Sequence, residues 1–216
     1  MKPKQIISIL LFTVLATCIN SCGNEAITEA ESLKEFPTDF IKMVCPERKA
    51  GFQLLDINFK KLTPIDSSFF IKWFNNKKVN SVDDYILTFD SYTRYYFADF
   101  KDLDSKFLFS IVHDDEIGYY HLIHFTFDKE KKQFTQIDYI GQSGGDGGEY
   151  NEDYLSYNST GDILILTSIS TYDEDFGGGY KQEYDSTVTK IEFDVLKTKY
   201  TKLGNVSRTD SIWDKK

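Results

Sequence analysis

Beyond Pro64 the chain contains no proline, and apolar and polar positions alternate there with a period of two. That alternation marks strands with one buried face, and the absence of proline suits interior strands whose every N–H is needed by a ladder. The pattern predicts strands over 84–89, 94–100, 106–113, 119–127, 133–140, 153–157, 163–171, 187–194 and 199–203, with an earlier one over 52–59. Turn-forming residues separate them: Asp114–Gly118, Asp128–Lys132, Asn158–Gly161 and Val195–Thr198. Such short connections favour hairpins over crossovers. The expected fold class is therefore mainly β, an antiparallel meander closing into either a curved sheet or a sandwich, with one short amphipathic helix near the N-terminal side. That helix is placed over 66–74, where Asp66 is an N-cap and Phe69, Phe70, Trp73 and Phe74 fall on one stripe, with Asn75-Asn76 as its stop. Three strands ending in Phe-Asp (Phe89-Asp90, Phe127-Asp128, Phe193-Asp194) are too irregular to define a repeat.

The first residues break this pattern. Lys2 and Lys4 precede an apolar run from Ile6 to Ala16, and small Ser21 stands directly before Cys22. A charged start, a short apolar run and a small residue at the cleavage point make an export signal, and the run is too short to span a bilayer. Ile19-Asn20-Ser21-Cys22 resembles the lipobox of bacterial lipoproteins. The resemblance implies cleavage before Cys22 and acylation of that cysteine, so the expected parts are a signal peptide over 1–21, a polar tether over 22–35 and a single mainly-β domain over 36–216. Cys18 is the competing site, but the β-branched Thr17 before it fits the cleavage position less well. The expected address is the cell envelope, with the membrane as a partner through a lipid anchor at the outer membrane.

Composition narrows the function classes. Loss of Lys2 and Lys4 with the signal moves the formal charge from −9 to −11, a surface that repels phosphate backbones and argues against nucleic-acid binding. Processing leaves only Cys22 and Cys45, so no disulfide framework forms, and Cys45 beside Val44 reads as a small buried hydrophobe. Stability must then come from a core, which 18 Phe and 14 Tyr are suited to build.

Two acidic, glycine-rich stretches are the local anomalies. Gly141–Glu149 reads as a loop, and its Asp146 and Glu149, with Glu152 and Asp153, supply oxygen ligands of the kind calcium takes, although the spacing matches no EF-hand. It lacks the Lys-Ser/Thr ending of a phosphate-binding loop. Tyr172–Tyr180 is the second, and in an up-and-down meander both follow strands of the same direction, so both lie at one end. Tyr150, Tyr154, Tyr172, Asp173, Asp175 and Tyr180 then define a candidate binding surface for a protein or glycan partner. No catalytic residues are singled out: His121 and His124 point to opposite faces of their strand, His113 heads an acidic turn, and no hydrolase motif is present. The expected function is a tethered, non-catalytic binding or structural module. The alternatives are an inhibitor or immunity-type protein using its acidic face, or a hydrolase on envelope glycans or peptides.

Overall fold

The computed structural model describes residues 35–80, 85–115, 117–176 and 179–213, without the side chains of 55, 175–180 and 211–213. The signal, Cys22 and the tether up to residue 34 lie outside the described residues. Pro37–Lys216 is one compact unit.

The unit is mainly β, with ten strands in one antiparallel sheet. The strands are β1 (Gly51–Gln53), β2 (Thr63–Pro64), β3 (Arg94–Asp102), β4 (Lys106–Asp114), β5 (Tyr119–Asp128), β6 (Gln133–Asp146), β7 (Glu149–Tyr157), β8 (Ile163–Phe176), β9 (Gly179–Glu192) and β10 (Lys199–Trp213). From β2 to β10 each strand pairs with the next in sequence, as hairpin-length connections require, and β1 alone steps out of order to pair with β7.

The expected 52–59 strand is corrected: only Gly51–Gln53 is extended, and two 3-10 turns, Leu54–Asp56 and Phe59–Lys61, follow. One reason is Leu54, which is fully buried on the core and turns the chain inward. The expected strand at 84–89 is also corrected, since residues 85–89 make a single bridge, Ile86 with Lys78.

Two helices flank the sheet, α1 (Thr38–Val44), which follows Pro37, and α2 (Ser67–Trp73). Asp66 caps α2 by accepting the Phe69 N–H at 2.9 Å, and Asn76 takes a left-handed φ of 60° just past its end. Phe70 stacks on Tyr95 of β3 with centroids 4.2 Å apart, and Phe74 packs on Phe125 at 4.9 Å. Behind them Phe109 and Phe125, directly paired across β4 and β5, stack at 4.7 Å.

The feature that organises the molecule is a slit in the sheet. β6 and β7 pair only at Gly144–Asn151, Gly145–Tyr150 and Asp146–Glu149, next to their turn, and then separate. Below that point β7 takes β1 as its neighbour, while β6 is bridged by Asn80, which lies parallel to Asp138. The two halves of the sheet, β2–β6 and β1 with β7–β10, are thereby free to overlap. Leu108, Val112 and Leu122 of the first half meet Leu155, Leu164, Leu166, Ile191 and Phe193 of the second in one buried cluster. The first half thus has the second half on one face and the aromatic layer of α2 on the other. β4 sits in the middle, so Lys106–Val112 is buried at every position and its periodicity is masked.

A buried ionic knot pins the halves together. Arg48, entering from the segment after α1, grips Asp99 of β3 with Nε and Nη2 at 3.2 and 3.0 Å and donates to the Gly161 carbonyl at 2.7 Å. Its guanidinium lies 4.4 Å from the Tyr157 ring of the second half. Arginine only donates, so His124 Nδ1, 3.1 Å from Nη2, must accept, and the His124 proton sits on Nε2. Complete burial, with Arg48 and Lys106 nearby, keeps that imidazole neutral far below the usual range.

Candidate functional site

Where β6 and β7 part, a cleft of about 580 Å³ opens. Its polar lining comes from Tyr85, His121, Tyr139 and Gln142 on one side and from Asn151, Asp153, Ser168, Ser170, Asp185 and Thr187 on the other.

The second wall follows from strand alternation. Asp153, Ser168 and Thr187 are consecutive partners across β7, β8 and β9, and so are Asn151, Ser170 and Asp185. These two rows continue the inward face that carries Leu155, Leu166 and Ile191 deeper in the molecule. The face changes from apolar to polar at the slit, where Asn151 and Asp153 are still buried, Ser168, Ser170 and Thr187 are partly buried and Asp185 is exposed. Ser170 Oγ donates to Asn151 Oδ1 at 2.6 Å, fixing the amide.

A continuous hydrogen-bond chain crosses the first wall. Asp115 Oδ1 accepts the N–H groups of Ile117 and Tyr119, closing the β4–β5 turn, and its Oδ2 meets His121 Nε2 at 3.1 Å. His121 Nδ1 lies 3.0 Å from Tyr139 Oη, which lies 2.9 Å from Gln142 Oε1. One phenol proton cannot serve both neighbours. Either His121 also donates from Nδ1, or the Gln142 amide turns its NH2 toward the phenol. The Gln142 N–H then donates to Asp153 Oδ2 at 2.6 Å, and the Asp153 N–H to Ser143 Oγ at 2.9 Å. These last two bonds replace ladder bonds lost where the strands separate, so side chains satisfy backbone groups that the slit would orphan.

Burial sets the protonation of this wall. It pushes the Asp153 carboxyl up to about 6 against the opposing hydrogen bonds of Ser168 and the Gln142 N–H. It also raises the Tyr85 phenol to about 12, with the Asp115 charge adding, and raises Tyr139, so both remain donors at neutral pH. His113, paired directly with His121 across β4 and β5, is lowered to about 4 by burial and by its histidine neighbour. Its Nδ1 is 3.0 Å from Tyr85 Oη. Of the two histidines beside the acidic turn, Asp115 thus holds His121, while His113 meets Tyr85.

The expected glycine-rich loop is corrected. Gly141–Asp146 is the second part of β6, and only Gly147 and Gly148 form the turn, with φ of 60° and 95°. Across it Asp146 pairs with Glu149. The four carboxylates expected around calcium are dispersed: Asp153 turns inward to Gln142, while Glu152, next in sequence and so on the other face, accepts from Tyr154 Oη at 2.8 Å. Among the described residues no group of three or more His, Cys, Asp or Glu side chains is placed to hold a metal ion.

The β6–β7 turn lies against the first part of the second acidic stretch, since the Asp173 N–H donates to the Gly148 carbonyl at 2.8 Å, and the β8–β9 ladder runs on past it to Phe176 and Gly179. Tyr150 and Tyr154 are exposed on the outer face of β7, whereas Tyr172, opposite Glu149, belongs to the inner face. Asp173 Oδ1 accepts from Gln182 at 3.0 Å. Asp175 and Tyr180 are backbone partners near the end of the β8–β9 hairpin, and their side chains lie outside the described residues. Cys45 is a free, buried thiol, raised by burial and by the Asp99 charge.

The sequence alone singles out neither His121 nor Asp115 as a site residue. A signal did exist: His113 and His121 stand four residues either side of Ile117, so a hairpin centred there makes them partners.

No family model, curated protein or solved structure matches the chain. Among the described residues no helix is long and apolar enough to cross a membrane.

Proposed function

We propose that this chain is a lipid-anchored protein of the bacterial envelope, cut before Cys22 and held at the outer membrane by acyl chains, whose β domain is a binding module receiving a small polar ligand in the cleft between β6 and β9. The anchor reading is supported by Lys2, Lys4, the apolar run Ile6–Ala16 and Ser21-Cys22. The binding reading is carried by the cleft itself. A fold that covers both faces of β4 leaves a polar recess at the one place where its sheet divides, and hydrogen bonds hold the side chains of that recess in place.

Metabolic labelling with a palmitate analogue in a Gram-negative host tests the anchor. Label should enter the wild-type chain and be absent from Cys22→Ser; equal labelling of both would overturn the reading. Binding is tested by amide chemical shifts of the full chain, in detergent, against a library of small polar compounds. Saturable shifts confined to Gly141, Gln142 and Asp153 support it, and a library that leaves these amides unmoved would remove it.

A second reading, a hydrolase on envelope glycans, rests on Asp153, a carboxyl raised to about 6 at the cleft wall and so suited to proton transfer near neutral pH. Incubation of the full chain with envelope glycan should then release fragments, and Asp153→Asn should abolish their release. Intact glycan would leave the chain a binding module alone.

A further inference from the structure

We infer that the cleft takes a neutral saccharide, with Tyr85 and Tyr139 facing the C–H surface of a sugar ring and Asn151, Ser168, Ser170 and Asp185 meeting its hydroxyls. This rests on the binding reading above and names the ligand class.

Three observations carry it. The first is charge: among the described residues no lysine or arginine lines the cleft, while Asp153 and Asp185 do. A phosphate or carboxylate ligand would therefore meet two acidic side chains and no basic group but His121, which is already paired with Asp115.

The second is the division of labour between the walls. Tyr85 and Tyr139 stand with ring centroids 5.9 Å apart in an edge-to-face pair, giving one wall an apolar surface with polar tips. Facing them are two rows of short polar side chains on three adjacent strands. Strands stand about 4.8 Å apart, so each row presents donors and acceptors at that interval, enough to meet several hydroxyls of one ligand. A saccharide has just this pairing of apolar faces and hydroxyl edges.

The third separates a neutral polyol from an ammonium ligand. Asp153 already accepts the Gln142 N–H at 2.6 Å and is buried, which leaves Asp185 as the one exposed carboxylate of the lining. Of the other groups of that wall, the Ser168 and Ser170 hydroxyls already donate to Asp153 and Asn151 and keep lone pairs, while the Asn151 amide, one of whose protons goes to Glu149, and the Thr187 hydroxyl keep protons to donate. Hydroxyl ligands use both capacities, whereas an ammonium uses acceptors only. The volume of about 580 Å³ lies within the ordinary range for small-ligand sites and suits a disaccharide.

The test uses the full, isotope-labelled chain in detergent and three separate panels: neutral disaccharides, diamines and dicarboxylates. At least one disaccharide should shift the amides of Gly141, Gln142 and Asp153 saturably, and Asp185→Ala should weaken that disaccharide at least tenfold while other resonances hold their positions. Diamines or dicarboxylates moving those amides where no disaccharide does would overturn the saccharide assignment and leave the binding reading standing. Disaccharide shifts confined to the outer face at Tyr150 and Tyr154, or an affinity untouched by Asp185→Ala, would overturn the placement. If no panel moves the cleft amides, the binding reading itself falls.

Discussion

A Cβ atom on residue 141 would lie 1.8 Å from Asp153 Oδ2, so Gly141 and the Asp153 carboxylate share a space that admits only one side chain. The glycine is there for room. It lets the carboxylate reach the Gln142 N–H and so closes the apex of the slit.

Gly141→Ala is therefore expected to cost about 2–4 kcal/mol, combining overpacking with loss of the Gln142 bond. In Gly141→Ala with Asp153→Ala the clash is gone, so the double variant should be less destabilised than the sum of the two singles. Urea unfolding of the four proteins measures this coupling, and strict additivity would show that the two positions do not compete.

Asp153 should make the fold less stable at neutral pH than a neutral isostere would. Burial raises its carboxyl to about 6. The protonated form is thus favoured on folding, and the resulting stability is fully present below the unfolded value of about 3.9 and lost as pH rises through 6. A shift of that size corresponds to about 3 kcal/mol at pH 7.5. Asp153→Asn keeps an acceptor for the Gln142 N–H without the charge, so it should gain stability over the wild type at pH 7.5 and not at pH 4. An equal effect at both pH values would mean that the carboxyl titrates normally.

Much of the sheet is legible in the sequence, because one-sided burial writes itself as alternation. The 163–171 run shows this, with Leu164 and Leu166 buried between less buried neighbours, and the 94–100 and 119–127 runs are likewise parts of observed strands. Period weakens where burial is not one-sided. β4 and 122–128 of β5 are buried at every position or nearly so and are marked instead by the turns that flank them, while 204–210 of β10 is exposed or nearly so throughout and falls outside the predicted 199–203 strand. β10 is extended because its ladder with β9 holds it, from Lys199–Glu192 to Trp213–Gly179. The glycines of β6 read as a loop because the reason for Gly141, a carboxylate twelve positions later, is visible only once β7 folds back. The α1 segment shows Phe40, Ile41 and Val44 at helical spacing, but Pro37 and Pro46 bracket it so closely that it reads as irregular. The cleft leaves the weakest trace in the sequence. It depends on where β6 and β7 stop pairing, and that divergence follows from the packing of the two halves, not from any local signal.

Removal of Arg48 should be among the most damaging single changes available. Arg48→Met strands the buried Asp99 carboxylate, leaves the Gly161 carbonyl without its donor and leaves His124 Nδ1 only the Ser110 hydroxyl at 3.3 Å. Breaking a buried pair in this way costs about 3–5 kcal/mol. Arg48→Lys should not rescue it, since one ammonium cannot reproduce the two-pronged grip on Asp99. Arg48→Met with Asp99→Val, which removes both charges, should recover part of the loss. Thermal and urea unfolding of the three variants would check the order, and a harmless Arg48→Met would mean the knot does not join the halves.

His113 should resist protonation far below the ordinary range of a histidine. Burial and its neighbour His121 lower it to about 4, and Tyr85 Oη sits 3.0 Å from its Nδ1. For a base whose folded value is depressed, the stability contributed is present above the unfolded value of about 6.5 and is lost as pH falls toward 4. The completely buried His124 acts in the same direction. The chain should therefore lose stability on acidification through that window, opposed only in part by protonation of Asp153. Imidazole proton shifts followed by NMR from pH 8 downward should show His113 flat to about pH 5 and turning near 4. A His113 midpoint near 6.5 would show that water reaches the ring, and that the Tyr85 contact does not seal this side of the cleft.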